Sequence, residues 1–205
     1  MIALTLAEIA HVLDGTLSGA DGNVVVDGSV HTDSRLVETG SIFFALRGEV
    51  TDGHLFAPTA VEAGAALLIT ERQLELPGAQ IVVANGVDAL AALATEVVAR
   101  VRAVGNLTVI AITGSNGKTT TKNLLRAILS QHAPTVAPQG SFNNHVGAPI
   151  SMLGITEATR YLIVEMGASG AGEIARLVRI ARPDIGVVLK VGLAHVGEFG
   201  GIDAV

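Results

Sequence analysis

The 205-residue sequence contains no cysteine and no tryptophan, and aromatic residues make up only 3% of it. The absence of cysteine excludes a disulfide framework and thiolate chemistry, and it fits the cytosol. The scarcity of aromatic side chains argues against the stacking surfaces that bind single-stranded nucleic acid. The composition therefore excludes a disulfide-rich scaffold and disfavours a nucleic-acid-binding protein.

Charged residues are also scarce: they make up 16% of the chain, and the formal net charge is −6. An acidic chain lacks the basic groove that binds nucleic acid. No run of about 18 apolar residues occurs, and the N-terminal apolar stretch lacks a basic region and is interrupted by Glu8 and His11. We therefore expect no nucleic-acid partner, no membrane span and no signal peptide. We also expect a cytoplasmic monomer, although the composition does not give the oligomeric state.

The abundant residues are small or branched and apolar. Hydrophobic residues make up 49% of the chain, and a composition rich in Ala, Val, Leu, Ile and Gly is typical of parallel sheets buried on both faces. Predicted strands alternate with predicted helices, which favours an α/β fold with a doubly wound, mainly parallel sheet. Residues 1–104 are predicted to form a small α/β domain, and Gly105-Asn106 marks the boundary to a second domain over residues 105–205.

Hydrophobic periodicity predicts the elements of both domains. Strands are predicted over residues 24–30, 41–46, 65–70, 80–84, 107–112, 135–137, 161–164 and 184–189. Helices are predicted from the capping box Thr5–Glu8 to Asp14-Gly15, and over 56–63, 87–103, 121–130, 149–153 and 172–181. Residues 202–205 are predicted to begin another helix after a glycine-rich loop. Nucleotide domains of this type usually have more strands, so we expect the sequence to be a piece of a longer protein.

A glycine-rich run between a predicted strand and a predicted helix is the most informative segment. It reads Gly114-Ser115-Asn116-Gly117-Lys118-Thr119-Thr120. Backbone N–H groups of such a turn converge on phosphate oxygens, the Lys118 ammonium contacts the outer phosphates, and the Thr119 hydroxyl reaches a magnesium ion. Ile112 stands where the usual pattern has its first glycine, so an ordinary strand–turn–helix is the alternative.

Two further residues follow predicted strands at the same edge of the sheet. Glu165 ends the apolar strand 161–164, and His195 comes a few residues after the next strand. The carboxyl ends of parallel strands line the ligand crevice, so we expect Glu165 to bind magnesium there. The alternative for Glu165 is a surface carboxylate. His195 is a candidate ligand of the metal or the phosphate, with a solvated loop histidine as the alternative.

Two polar segments are candidates for substrate binding. Asn143 and Asn144 belong to a loop rich in hydrogen-bonding groups, which is either a substrate-facing loop or an ordinary surface loop. Ser34 and Arg35 belong to a turn that begins with Thr32-Asp33. The Arg35 guanidinium is suited to phosphate, although the residues alone favour a structural turn with a salt bridge.

The phosphate-loop run resembles that of the Mur ligases, whose variant form also lacks the first glycine. Other segments are similar to the branch of this family that adds D-alanyl-D-alanine, and together they span nearly the whole chain. They are Thr32-Asp33-Ser34-Arg35, residues 40–48, Asp52-Gly53-His54, residues 140–149, Glu165-Met166-Gly167-Ala168-Ser169 and residues 194–200.

This resemblance implies an ATP-dependent, amide-forming ligase of peptidoglycan precursor synthesis, located in the cytoplasm. In the family, the γ-phosphoryl group of ATP is transferred to the carboxylate of UDP-N-acetylmuramoyl-tripeptide. The amine of D-alanyl-D-alanine then attacks the acyl phosphate. The N-terminal domain is expected to bind the UDP end of the substrate, and the second domain is expected to be an incomplete P-loop domain that binds MgATP.

The resemblance also implies roles for individual residues. Ser34 and Arg35 are expected near the UDP-linked substrate, and the asparagine loop is expected to face substrate. Lys118, Glu165 and His195 are the expected catalytic residues, and Thr119 joins the last two as a magnesium ligand.

One residue departs from the family pattern, which usually has Asn where this chain has Lys190. A positive charge is therefore expected beside the nucleotide region. Two alternatives stay open: a non-catalytic module that binds UDP-sugar and ATP, and a related ligase that adds a different amino acid, including a folate polyglutamate synthase.

Overall fold

The computed structural model describes residues 1–48, 50–190 and 192. The chain divides into two compact units, Met1–Glu96 and Val97–Val205. The division falls within a long helix, Gly86–Val104, whereas the boundary predicted from the sequence lies at the C-terminal end of the same helix. The predicted loop 198–201 and helical turn 202–205 lie outside the described residues.

The first unit is built from short strands and three helices, the last of which continues into the second unit. Its strands are β1 Leu4–Thr5, β2 Thr16–Ser18, β3 Val25–Val26, β4 Val30–His31, β5 Ile42–Phe44, β6 Leu67–Thr70 and β7 Ala79–Val82. Its helices are α1 Leu6–Val12, α2 Ala57–Glu62 and α3 Gly86–Val104, with 3-10 turns at Ser34–Leu36 and Gly53–Phe56.

Within the described residues, the main sheet of this unit has the strand order β2-β7-β6-β5-β4. Only β2 is antiparallel to its neighbour, and β1 pairs with β3 in a separate antiparallel ribbon. The prediction of one strand over residues 24–30 was wrong, because β3 and β4 belong to different sheets. Asp27 and Gly28, which are poor strand formers, separate them.

The core of this unit lies on β5 and β6, which are buried along their whole length. Phe43 packs with Leu68 and with Ala57 and Ala60 of α2. Such continuous apolar runs are expected of strands covered on both faces. The predicted capping box is confirmed: the Glu8 N–H donates to Thr5 Oγ1 at 3.1 Å, and the Thr5 N–H donates to Glu8 Oε2 at 2.8 Å.

The second unit alternates strand and helix, as the sequence predicts. Its elements are β8 Thr108–Thr113, α4 Lys118–Leu129, β9 Thr135–Val136, α5 Gly147–Met152, β10 Tyr161–Glu165, α6 Glu173–Ala181 and β11 Ile185–Val188. The described strands form one parallel sheet in the order β11-β8-β10-β9. The predicted α/β fold class with a parallel sheet is confirmed.

Helix α4 begins three residues before its predicted start at residue 121. Gly117 adopts a left-handed conformation with φ 85°, which turns the chain directly into the helix at Lys118. Lys118 and Thr119 therefore occupy the first turn of α4. No described helix is both long and apolar enough to cross a lipid bilayer.

Candidate functional site

The glycine-rich run forms a tight loop between β8 and α4. Gly114 has φ 139°, and a Cβ added there would lie 2.8 Å from the Leu189 Cβ, so a larger residue is excluded by both conformation and space. The Ser115 N–H donates to the Lys190 carbonyl at 3.0 Å, and the Ser115 hydroxyl donates to the Gly192 carbonyl at 3.1 Å. The loop is therefore fixed to the chain that follows β11.

Lys118 folds back over this loop. Its ammonium donates to the Gly114 carbonyl, with Nζ and O 2.5 Å apart. The positive side chain therefore lies across the concave backbone at the N-terminus of α4, where unpaired N–H groups and the helix dipole favour an anion. A loop of this shape with a cation over it is suited to the phosphates of a nucleotide.

Glu165 ends β10 beside this loop and is fully buried. It pairs in register with Ile112 of β8. The Thr119 hydroxyl, on the first turn of α4, donates to both carboxylate oxygens at 3.0 and 3.2 Å. The end of the strand and the start of the helix thus place a carboxylate against a hydroxyl, as the sequence predicts.

Two side chains of the loop before α5 also donate to Glu165. The Ser141 hydroxyl lies 3.1 Å and the Asn143 side-chain amide 3.0 Å from the same oxygen, Oε1. All these donors are neutral, and no cationic side chain of the described residues forms an ion pair with Glu165. A buried carboxylate without a cationic partner is costly, so a cation bound at this position would be stabilised by it.

The oxygens of Thr119 and Glu165 fit a magnesium ion, which prefers hydroxyl and carboxylate ligands. Across the described ranges, no cluster of three or more His, Asp or Glu side chains forms a conventional metal site. Magnesium commonly uses only one or two protein ligands together with phosphates and water, so the pair suffices for that ion. The third predicted ligand, His195, lies outside the described residues.

The two asparagines of the loop have different surroundings. Asn143 supports Glu165 and also accepts a hydrogen bond from the Gly167 N–H at its carbonyl, at 2.8 Å. Asn144 accepts hydrogen bonds at Oδ1 from the N–H groups of Val146 and Gly147, at 3.2 and 2.8 Å. Asn144 therefore caps the start of α5, and Asn143 belongs to the shell around the carboxylate.

Ser34 and Arg35 lie in the first unit, in the 3-10 turn that follows β4. Ser34 is buried, whereas the Arg35 side chain is 85% exposed and pairs with Asp33, with Nη2 and Oδ2 2.6 Å apart. The side-chain and backbone hydrogen bonds from Arg35 lower the pKa of Asp33 to about 2. The structure therefore contains the salt-bridged turn that the residues alone favour, and the Arg35 guanidinium lies at the surface.

Asp52 and His54 hold together the segment that enters α2. The buried His54 ring donates from Nδ1 to Asp52 at 2.6 Å and accepts at Nε2 from the Glu71 N–H at 2.8 Å. Hydrogen bonds from the His54 backbone and ring, and then from Arg72, hold the pKa of the Asp52 carboxyl well below its usual range. This cluster connects the 3-10 turn before α2 to the residues that follow β6.

Both units match models of a single family. The model described as "Mur ligase family, catalytic domain" matches residues 28–108, and the one described as "Mur ligase middle domain" matches residues 112–205. The chain belongs to the Mur ligase family. The missing first glycine of the phosphate loop is therefore compatible with nucleotide binding and is the variant expected of a Mur ligase.

The similar proteins are ligases of the MurF branch. Two relatives named UDP-N-acetylmuramoyl-tripeptide–D-alanyl-D-alanine ligase, from Mycobacterium tuberculosis and Escherichia coli, are 44% and 38% identical over 98% and 100% of this chain. The chain spans 44% of the length of each.

Solved structures agree with the sequence relatives. MurF from Acinetobacter baumannii superposes with a TM-score of 0.87 at 37% identity, over 98% of this chain and 44% of that one. MurF from Thermotoga maritima in complex with ADP superposes with a TM-score of 0.72 at 36% identity, over 83% of this chain and 39% of that one.

Two residues of this Mur ligase site were missed at the sequence level. The sequence patterns single out neither Ser141, one of several polar residues in the loop before α5, nor Lys122. Lys122 is 1% exposed and contacts that loop. A signal was available, because Lys122 lies three residues before Leu125 and seven before Leu129, on the half-buried side of α4.

Lys190 is exposed, and its backbone carbonyl supports the phosphate loop through Ser115. That contact does not depend on the side chain. The replacement of the usual Asn by Lys190 therefore leaves the backbone support of the Mur ligase loop in place.

Proposed function

We propose that this chain is the substrate-binding and nucleotide-binding part of an ATP-dependent ligase that joins D-alanyl-D-alanine to UDP-N-acetylmuramoyl-tripeptide. The observation that carries the proposal is the contact between Thr119 and the buried Glu165 beside the phosphate loop. The identity of 44% to a ligase of this name, over 98% of the chain, supports the same substrates.

The reaction joins two molecules through an acyl phosphate. An oxygen of the tripeptide carboxylate attacks the γ-phosphorus of ATP, and the bond to the oxygen of ADP breaks. The amine of D-alanyl-D-alanine then attacks the acyl carbon, the C–O bond to phosphate breaks, and the amine loses a proton. A carboxylate cannot expel oxide when an amine attacks it, whereas an acyl phosphate releases phosphate. Phosphorylation of the carboxylate by ATP therefore makes formation of the amide bond possible.

The residues of the second unit act by position and charge. The backbone of residues 114–120 binds the phosphates, and Lys118 stabilises the negative charge that shifts toward the oxygen of ADP. Thr119 and Glu165 hold Mg²⁺, with His195 as a further ligand, and Mg²⁺ neutralises phosphate charge when bound. Asn143 keeps the Glu165 carboxylate in place.

The first unit is proposed to bind the UDP end of the tripeptide substrate. Ser34 and Arg35 are the proposed contacts, because the Arg35 guanidinium is exposed and, among the described residues, its ion pair is the exposed one with Asp33. Exposed pairs of this kind are weak, so a diphosphate can displace Asp33. We also propose domains over 1–104 and 105–205, a cytoplasmic monomer, and substrate contacts from the loop of Asn143 and Asn144.

The deciding experiment measures ADP formation by the full-length protein with each substrate omitted in turn. We expect ADP only when UDP-N-acetylmuramoyl-tripeptide and D-alanyl-D-alanine are both present. ADP release with neither substrate would contradict the ligase proposal. Binding of the UDP substrate and ATP without turnover would favour the non-catalytic module, and turnover with a different amino acid or with a folate would favour a related ligase.

A further inference from the structure

Helix α4 carries a buried lysine, Lys122, to which the proposed reaction assigns no role. Lys122 lies one helical turn after Lys118, is 1% exposed, and forms no ion pair with a carboxylate of the described residues. Its ammonium donates instead to the carbonyls of Pro138 and Gly140, at 2.8 and 2.7 Å. Burying a charge that only carbonyl dipoles compensate is costly, so packing alone does not account for a lysine here.

The two carbonyls belong to the segment that leads into the Glu165 shell. Gly140 is left-handed, with φ 66°, and the next residue is Ser141, whose hydroxyl donates to Glu165. Asn143 follows two residues later and donates to the same carboxylate oxygen. The ammonium therefore fixes the backbone immediately before the two loop side chains that hold the carboxylate.

The segment has little else to define its path. It contains no strand or helix between Val136 and Gly147. Beyond Lys122, the described hydrogen bonds that hold residues 138–143 are those around Glu165 and the one from the Gly167 N–H to the Asn143 carbonyl. Hydrogen bonds with an ionised partner are about twice as strong as neutral ones, and Lys122 supplies two of them to Pro138 and Gly140, ahead of the first contact with Glu165.

We propose that Lys122 is a positioning residue, which anchors residues 138–143 to α4 so that Ser141 and Asn143 hold Glu165 against Thr119 in the orientation that receives Mg²⁺. This inference rests on the proposed function, because it assigns a role to a residue behind the proposed magnesium ligands. Lys122 acts through this segment, because its described hydrogen bonds are to the carbonyls of Pro138 and Gly140.

The first test uses backbone amide hydrogen exchange, resolved by NMR, in the full-length protein without nucleotide or Mg²⁺. In Lys122→Met, which keeps the volume and removes the donors, we expect the Gly167 amide to exchange about tenfold faster or more, the factor for losing one charge-assisted hydrogen bond. The Met166 amide, which donates to Ile112 within the sheet, is the internal control and should be unchanged. Arg126→Met, an exposed cation one turn further along α4, is the matched control variant.

The second test measures the affinity for ADP by calorimetry at a series of Mg²⁺ concentrations and in EDTA. We expect Lys122→Met to leave the affinity in EDTA unchanged and to raise the apparent Kd for Mg²⁺ by about 10- to 100-fold, as for other residues that orient metal ligands. A purely structural lysine would change the Tm and the affinity in EDTA together. Lys122→Gln keeps a donor without the charge and should give smaller changes. It replaces Lys122→Met in both tests if Lys122→Met does not fold.

The outcomes separate the two proposals. If the wild-type protein binds no ADP with or without Mg²⁺, the proposed function fails, whereas the Gly167 amide still tests the anchoring of the segment. If Mg²⁺ strengthens ADP binding equally in wild type and Lys122→Met, the positioning role is overturned, whatever the amide exchange shows. Equal Gly167 exchange in the two proteins overturns it as well.

Discussion

The hydroxyl of Thr119 lies 3.0 Å from the carboxylate of Glu165, although the two residues are 46 positions apart in the chain. Thr119 is fixed by the first turn of α4, and Glu165 is fixed by the last position of β10. The parallel pairing of β8 and β10 brings these ends together, because the carboxyl ends of adjacent parallel strands meet at one edge of the sheet. The pairing of β8 with β10 therefore determines where the proposed metal site lies.

Replacing Glu165 by glutamine should separate the function of this carboxylate from its contribution to stability. We expect Glu165→Gln to abolish the gain in ADP affinity that Mg²⁺ provides, because the anionic ligand is lost. We also expect its free energy of unfolding to rise, because a neutral amide is cheaper to bury than an unpaired carboxylate. Calorimetry with and without Mg²⁺ and denaturant unfolding measure the two effects. A lower stability with unchanged Mg²⁺ dependence would contradict the metal assignment.

Removing the Lys118 ammonium should weaken nucleotide binding without unfolding the protein. Hydrogen bonds to charged groups contribute about 1.5–3 kcal/mol, so Lys118→Ala should raise the Kd for ATP by about 10- to 150-fold. Stability should change little, because the one hydrogen bond of this side chain among the described residues is to the Gly114 carbonyl. Titration calorimetry measures the affinity, and Arg126→Ala on the same helix is the matched control. Equal affinities for the two variants would exclude Lys118 from phosphate binding.

The regular elements of the second unit were predictable because their strands are buried and therefore leave continuous apolar runs in the sequence. The position of Glu165 could be predicted for the same reason, since it is the first charged residue after such a run. Residues 138–146 have no periodicity, and their path depends on contacts with α4 and β10. The helical spacing of Lys122 indicates that it lies on the half-buried side of α4, but the contacts of Lys122 and Ser141 depend on a loop path that the sequence does not predict.

In the first unit, short strands limited the prediction. Strands of two or three residues, such as β3 and β4, are too short to show an alternating pattern, so residues 24–30 were predicted as one strand. Arg35 shows a different limit. The residues alone favour a turn with a salt bridge, and the structure shows that the partner of Arg35 is Asp33 and that the pair is exposed.

Gly167 should be required for the orientation of Asn143. A Cβ at Gly167 would lie 2.9 Å from Asn143 Cγ and 3.1 Å from its Nδ2, closer than packed atoms tolerate. Gly167→Ala should therefore displace the Asn143 amide from Glu165. We expect the apparent Kd for Mg²⁺ to rise, and the free energy of unfolding to fall by about 1–3 kcal/mol, as for other overpacked sites.

Gly170→Ala is the control for this variant, because the nearest atom to a Cβ there, Glu173 Oε1, is 4.0 Å away. Calorimetry with Mg²⁺ and denaturant unfolding should distinguish the two alanine variants. Identical Mg²⁺ affinities would show that the Asn143 amide does not need the space that Gly167 leaves.

The pair of Asp33 and Arg35 should make a small, pH-dependent contribution to stability. The pKa of Asp33 is lowered from 3.8 to about 2 in the folded protein. A lowered folded-state pKa means that the stabilisation is present above the unfolded pKa and is lost as the pH falls from about 4 to about 2.

Asp33→Asn keeps a capping side chain for the 3-10 turn and removes the charge. The free energy of unfolding of wild type minus that of Asp33→Asn should be positive but small at pH 6, because the pair is exposed and screened by solvent. It should shrink toward pH 2 and in high salt, and a difference that does not depend on pH would exclude the ion pair as its cause.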